Sequence, residues 1–83
     1  MDLTSMKNLG KEMKRKLSSV GIDTAEDLIN TGSKEAFLRL KEIYPEVCLV
    51  HLYTLQGAID NTEYNMLAQD VKDDLKQFSD RLK

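Results

Sequence analysis

Apolar residues recur along the chain at the three- and four-residue spacing of amphipathic α-helices. No segment alternates apolar and polar residues over the length of a strand, and no Asn-Gly or Asp-Gly pair marks a hairpin. This pattern predicts an all-α protein, a compact bundle of about five to six short helices. Turn residues interrupt the pattern at positions 8–10, 21, 31–33 and 45, and these positions separate one predicted helix from the next.

Four helices are predicted in the first half of the chain. The first covers residues 3–6, and the second follows the turn at 8–10 and ends at Gly21, because glycine readily adopts the left-handed conformation that closes a helix. The third begins at Thr24 and the fourth after a cap at Ser33, since hydroxyl groups accept hydrogen bonds from the first amides of a helix. The apolar residues expected to face the core are Met13, Leu17 and Val20, then Ala25, Leu28 and Ile29, then Ala36, Phe37, Leu40 and Ile43.

The second half of the chain predicts a central helix and a covering helix. Residues 46–60 are the most apolar segment, and their apolar side chains lie on nearly all sides of a helix, which indicates burial. Gly57 within this helix predicts a close crossing by another helix. A helix over residues 68–82 has one apolar face, which we expect to cover the bundle. That face consists of Val71, Leu75, Phe78 and Leu82, and the connector before it is expected to bury Tyr64, Met66 and Leu67.

The length of the chain predicts a single domain over residues 1–83, since 83 residues enclose one hydrophobic core. No apolar run approaches the roughly 20 residues needed to cross a bilayer, and the N-terminal segment lacks the apolar centre of a signal peptide. We therefore expect a cytoplasmic protein that does not engage a membrane. Cys48 lies among apolar neighbours and is expected to pack in the core as an inert thiol.

The sequence contains no GxxxxGK[ST] loop, no GxGxxG and no HExxH motif. The single histidine, His51, follows Cys48 by three residues on one helical face. This pair could supply two metal ligands, or a nucleophile and its base, so a small enzyme or metal-binding protein is the alternative prediction. A structural zinc site needs four ligands, and no second cluster accompanies the pair. The favoured prediction is a non-enzymatic domain without a cofactor.

Basic residues are concentrated near the N-terminus, although the net charge is −2. A helix, a tight turn at Asn8-Leu9-Gly10 and a second helix are typical of a helix-hairpin-helix element, whose turn amides can hold a DNA phosphate without reading bases. Lys14 stands where such elements favour a small alanine, and turns between packed helices also have this pattern without touching DNA. The candidate phosphate contacts are Lys7, Asn8, Gly10, Lys11, Lys14 and Arg15.

Three short motifs follow one another along the chain: Asn8-Leu9-Gly10-Lys11, then Leu52-Tyr53-Thr54-Leu55-Gln56-Gly57-Ala58, then Tyr64-Asn65-Met66-Leu67. In this order they resemble the C-terminal domain of the TfoX/Sxy competence regulators, over residues 3–78. The middle motif is similar to the LYALEGA signature of that family, and the third more often has tryptophan in place of the tyrosine. The resemblance covers nearly the whole chain.

The resemblance implies an all-helical domain with a helix-hairpin-helix-like N-terminal half. Longer members carry an N-terminal α/β domain and act as coactivators of competence genes beside a cyclic-AMP-responsive DNA-binding regulator. For this chain the resemblance implies an interaction or regulatory domain. Its expected partners are an unidentified protein or a second copy of itself, together with weak DNA contact that is not sequence-specific.

Overall fold

The computed structural model describes residues 1–82, which form five α-helices and two 3₁₀ turns. The helices are α1 (Lys11–Ser19), α2 (Ala25–Thr31), α3 (Ser33–Ile43), α4 (Leu49–Asp60) and α5 (Gln69–Arg81), and the 3₁₀ turns are Leu3–Ser5 and Tyr64–Met66. Within the described residues no strand occurs, and a single isolated bridge pairs Asp2 with Thr24. The prediction of an all-α bundle is confirmed. No helix in this part of the chain is long and apolar enough to cross a membrane.

Helix α4 is the centre of the bundle, since it packs against α3, α5 and the Tyr64–Met66 turn. Leu52, Leu55 and Ala58 of α4 are buried among side chains from the other helices. Full burial of a leucine or phenylalanine side chain contributes about 1.5–3 kcal/mol, so this shared core is the main source of stability. The largest fully buried side chains are Leu3, Leu17, Ile22, Leu28, Phe37, Leu40, Val47, Leu52, Leu55 and Leu75.

The central helix begins at Leu49, three residues later than predicted. The amide of Val47 donates to the Tyr44 carbonyl oxygen at 3.0 Å, which forms a turn around Pro45, and Cys48 then has an extended backbone as the N-cap. The extra turn reverses the chain after α3 and still places Val47 in the core.

Several apolar residues predicted to face inward are exposed instead. Ile29, Ile43 and Val50 lie on sides of α2, α3 and α4 that no neighbouring helix covers. Helix α2 contacts mainly α3. A single neighbouring helix buries a narrower face of α2 than the sequence pattern indicated. In the connector before α5, Leu67 is buried as predicted, whereas Tyr64 and Met66 are exposed.

The helix ends follow the predicted turn chemistry with one exception. Thr24 caps α2 by accepting from the Asp27 amide at 3.1 Å, and such a cap contributes about 1 kcal/mol. Ser33 is not a cap, because Gly32 alone separates the two helices and is both the C-cap of α2 and the N-cap of α3, with a positive φ of 86°. Ser33 is the first residue of α3, and its buried hydroxyl donates to Gln56 Oε1 at 2.5 Å.

We predict that the ionised Asp2 carboxylate contributes to stability in a pH-dependent way. Hydrogen bonds from Lys14 Nζ, at 2.5 Å, and from Thr4 lower the pKa of Asp2 from 3.8 to about 2. A lowered folded-state pKa stabilises the protein above pH 3.8, and this contribution disappears as the pH falls towards 2. The urea midpoints of wild type and Asp2→Asn should therefore differ by a constant amount at neutral pH and converge between about pH 4 and pH 2. A difference at pH 2 as large as the difference at neutral pH would contradict this assignment.

Candidate functional site

The turn that precedes α1 has the conformation expected from its residues. Asn8 lies in the left-handed region with φ of 71°, which asparagine tolerates better than most side chains. Gly10 is the N-cap of α1 and offers no side-chain acceptor. The first backbone hydrogen bond of the helix is donated by the Lys14 amide to the Gly10 carbonyl oxygen at 3.0 Å. The amides of residues 11–13 therefore precede the hydrogen-bonded part of α1 and remain available to an anion.

The Asn8 side chain is directed into the protein. Its Nδ2 donates to the Thr62 carbonyl oxygen at 3.0 Å and to the Thr54 carbonyl oxygen at 3.4 Å. Its Oδ1 accepts from the Tyr64 amide at 3.2 Å. Asn8 thus fastens the turn to the end of α4 and to the loop that follows. Its role in this structure is to position the turn.

Gly57 provides the space for this contact. A Cβ atom at position 57 would lie 2.5 Å from Asn8 Nδ2 and 2.5 Å from the Thr62 carbonyl oxygen, closer than real Cβ atoms approach such groups. The close approach predicted at Gly57 is present. The prediction of a crossing helix is wrong, because the groups over Gly57 are the Asn8 side chain and the backbone of residues 62–64.

Two lysines flank the turn without an ion-pair partner. Lys7 and Lys11 are exposed, and neither forms a salt bridge with any residue in the described part of the chain. They lie on either side of Gly10 and its open amides. This arrangement combines two free positive charges with backbone donors, as anion sites at helix N-termini do.

The other two basic candidates are occupied by intramolecular ion pairs. Lys14 pairs with Asp2 at 2.5 Å, and Arg15 pairs with Glu12 one helical turn away. Arg15 holds the pKa of Glu12 below its usual value by hydrogen bonding to the carboxylate. Exposed ion pairs of this kind stabilise a protein by about 0–1 kcal/mol. The two cations are therefore partly neutralised, but their side chains are not held firmly in the pairs. Lys14 and Arg15 therefore add less to a positive surface than their sequence positions indicate.

Cys48 and His51 form a helix cap. Cys48 is exposed, which corrects the prediction of a core thiol, because it precedes the first buried turn of α4. His51 Nδ1 accepts from the Cys48 amide at 3.0 Å and lies 3.6 Å from the Cys48 Sγ atom. Among residues 1–82 no group of three or more His, Cys, Asp or Glu side chains is arranged to hold a metal ion. The role of the two residues in capping the N-terminus of α4 explains why they are three positions apart.

Sequence reasoning missed the partners of the turn. Thr54, Thr62 and Tyr64 contribute main-chain atoms to Asn8, and a main-chain donor or acceptor leaves no signal in the identity of the residue. The interruption of an otherwise apolar helix by Gly57 was the one available signal that another segment lies close.

Comparison with known proteins supports the family resemblance found in the sequence. No curated protein matches the chain. A crystal structure of an uncharacterized protein from Listeria monocytogenes, triclinic form, is 38% identical over 99% of this chain and 93% of that chain, with a TM-score of 0.96. A tetragonal crystal structure of a protein of unknown function from Listeria monocytogenes is 38% identical over 99% of this chain and 100% of that chain, with a TM-score of 0.95. The TfoX C-terminal domain profile matches residues 1–79, and the chain therefore belongs to the TfoX C-terminal domain family.

Proposed function

We propose that this protein is a non-enzymatic interaction domain that contacts the phosphate backbone of nucleic acid through Lys7, Gly10 and Lys11. The observation that carries the proposal is the pair of exposed, unpaired lysines on either side of a glycine-capped helix start. The chain acts as one domain over residues 1–83 in the cytoplasm. An unidentified protein partner, or a second copy of the chain, supplies the remainder of the binding affinity.

Charge limits the strength of the contact. Backbone amides and lysines recognise phosphate oxygens without distinguishing bases, so the binding is not sequence-specific. The protein as a whole carries a net charge of −2, which opposes adhesion of other surfaces to nucleic acid. Two free lysines neutralise about two phosphates, which corresponds to a slope of roughly −2 in a plot of log K against log salt concentration for duplex DNA.

A salt titration of binding to duplex DNA tests the proposal. We expect the affinity of the wild type to fall with added salt at that shallow slope, because the bound lysines displace counterions. The variant with Lys7→Glu and Lys11→Glu should bind more weakly and with a slope near zero. Fluorescence anisotropy of a labelled duplex measures both quantities.

The matched control carries the same change in charge away from the turn. Arg39→Glu with Lys76→Glu alters two exposed cations on α3 and α5. If the control weakens binding as much as the turn variant, only overall charge matters and the assigned site is wrong. The proposal also fails if the wild type does not bind at about 50 mM salt, where phosphate contacts are strong.

A further inference from the structure

We propose that the Tyr64 ring stacks on an unpaired base, so that single-stranded nucleic acid is the ligand of the surface formed by the basic turn and the loop at residues 62–66. This inference rests on the proposed phosphate contact and specifies its ligand. It joins two features that lie far apart in sequence, an exposed aromatic side chain and two unpaired lysines.

The structure fixes Tyr64 beside the turn. The Tyr64 amide donates to Asn8 Oδ1 at 3.2 Å, and Lys7 directly precedes Asn8 in the chain. The loop on the other side of Tyr64 is tied to the same residue, because Asn8 Nδ2 donates to the Thr62 carbonyl oxygen. Asn8 therefore holds the backbone of Tyr64 next to the segment that carries Lys7, and the side chains of both residues are exposed.

Tyr64 is also the tyrosine whose hydroxyl has no internal partner among the described residues. The Tyr53 hydroxyl donates to the Lys72 carbonyl oxygen at 3.4 Å, and the Tyr44 hydroxyl lies 2.9 Å from the Ser19 hydroxyl. Tyr64 instead is 43% exposed. A ring held by its backbone, with its side chain left to solvent, has the form of a stacking platform rather than of a core residue.

Charge complementarity favours nucleic acid over an apolar protein partner at this surface. Lys7 directly precedes the residue that binds the loop, and Lys72 contacts the loop itself, where its Nζ donates to the Asn65 carbonyl oxygen at 3.3 Å. One exposed carboxylate, Glu63, directly precedes the ring and opposes a phosphate. Glu63 therefore keeps the affinity low, and its removal should strengthen binding.

A single strand fits this arrangement better than a duplex. Bases in a duplex are stacked on one another and cannot meet an aromatic ring, whereas the bases of a single strand are free to do so. Stacking on an aromatic side chain does not depend on base identity, since every base has a flat π-face. The lysines would hold the phosphates on either side of the stacked base.

The experiment compares binding of a labelled oligo-dT of about 12 nucleotides, within the range of known single-strand sites, with binding of a duplex of equal length. Loss of one base stack corresponds to a drop of roughly tenfold in affinity. We expect that loss for the single strand in Tyr64→Ala and Tyr64→Leu, with no change for the duplex. Tyr64→Phe should bind the single strand as the wild type does, and Glu63→Gln should bind it more tightly.

Tyr64→Leu separates stacking from apolar contact, because leucine is also a large apolar side chain but lacks a π-face. The chain contains no tryptophan, so Tyr64→Trp provides a single tryptophan whose fluorescence a stacked base should quench. Thermal melting by circular dichroism verifies that each variant is folded, and quenching in the folded Tyr64→Trp protein remains informative if Tyr64→Ala unfolds.

The outcomes distinguish this inference from the proposed function. If Tyr64→Leu binds the single strand as tightly as the wild type, and Tyr64→Trp is not quenched, the stacking role is wrong while the lysine contact stands. If the Lys7 and Lys11 changes leave single-strand binding unaltered, the phosphate contact itself is wrong. A wild type that binds neither strand form refutes both proposals.

Discussion

Gly57→Ala is expected to lower the free energy of unfolding by about 3 kcal/mol, at the upper end of the cost of overpacking a core. Its Cβ would lie 2.5 Å from both Asn8 Nδ2 and the Thr62 carbonyl oxygen. The Thr62 atom belongs to the backbone, so it cannot move aside by a rotamer change. Urea unfolding followed by circular dichroism at 222 nm measures the loss as a lower midpoint.

The sign of this effect makes it diagnostic. Alanine within a helix is normally more stable than glycine by about 1 kcal/mol, so a neutral or stabilising result at Gly57 would show that the segments over it are not packed as described. Gly10→Ala is the matched control, because no atom lies within 4 Å of a Cβ at position 10 and its φ is negative. It should change stability by less than about 1 kcal/mol, the scale of an N-cap preference.

Asn8→Ala is expected to destabilise the domain by about 2–3 kcal/mol, since it removes hydrogen bonds worth about 1 kcal/mol each and leaves main-chain groups unpaired. The groups that lose their partner are the Thr62 carbonyl oxygen and the Tyr64 amide, whereas the Thr54 carbonyl oxygen lies within α4 and keeps its helical hydrogen bond. Alanine at a φ of 71° adds backbone strain. Chemical denaturation of wild type and variant under one set of conditions measures the difference.

Two further substitutions at position 8 separate the contributions. Asn8→Gly removes the side chain but relieves the strain, so it should be more stable than Asn8→Ala by about 1 kcal/mol. Asn8→Asp keeps an acceptor for the Tyr64 amide and cannot donate to the two carbonyl oxygens. If Asn8→Gly is as stable as the wild type, the three hydrogen bonds contribute nothing and the positioning role of Asn8 is wrong.

Gly57→Ala and Asn8→Gly should also be coupled when combined. Asn8→Gly removes one of the two close contacts that a Cβ at position 57 would make, and the contact with the Thr62 carbonyl oxygen remains. The double variant should therefore lose less stability than the sum of the two single losses, as residues in direct contact do.

The sequence predicted the helices and their turns well because these depend on local chemistry. Gly21, with φ of 85°, follows the C-cap of α1, and Thr24 is the N-cap of α2. Both positions agree with what the residue types indicated. Leu28, Phe37 and Leu75 are buried because the helical period defines one face of each helix. The all-α class followed from the same patterns, whereas the family followed from the resemblance of three short motifs.

The remaining differences concern contacts between distant segments. Periodicity places Ile29 and Ile43 on an apolar face but does not state how many neighbours cover it, and both are exposed. The sequence predicts Lys14 as a candidate phosphate contact and gives no sign of its ion pair with Asp2, which lies 12 positions away in the chain. The turn at residues 8–10 predicts Asn8 as a candidate phosphate contact. Only the structure shows that its side chain is hydrogen-bonded to the loop after α4.

The bond between Asn8 and Thr62 spans 54 residues of chain. Closing so long a loop costs conformational entropy that only the surrounding core can offset. We therefore expect the turn at residues 8–10 to acquire its final geometry late in folding, after α4 and the segment that follows it have docked. A peptide that ends before α4 would keep the lysines of the turn but not their arrangement, so the proposed phosphate contact depends on the complete helical bundle.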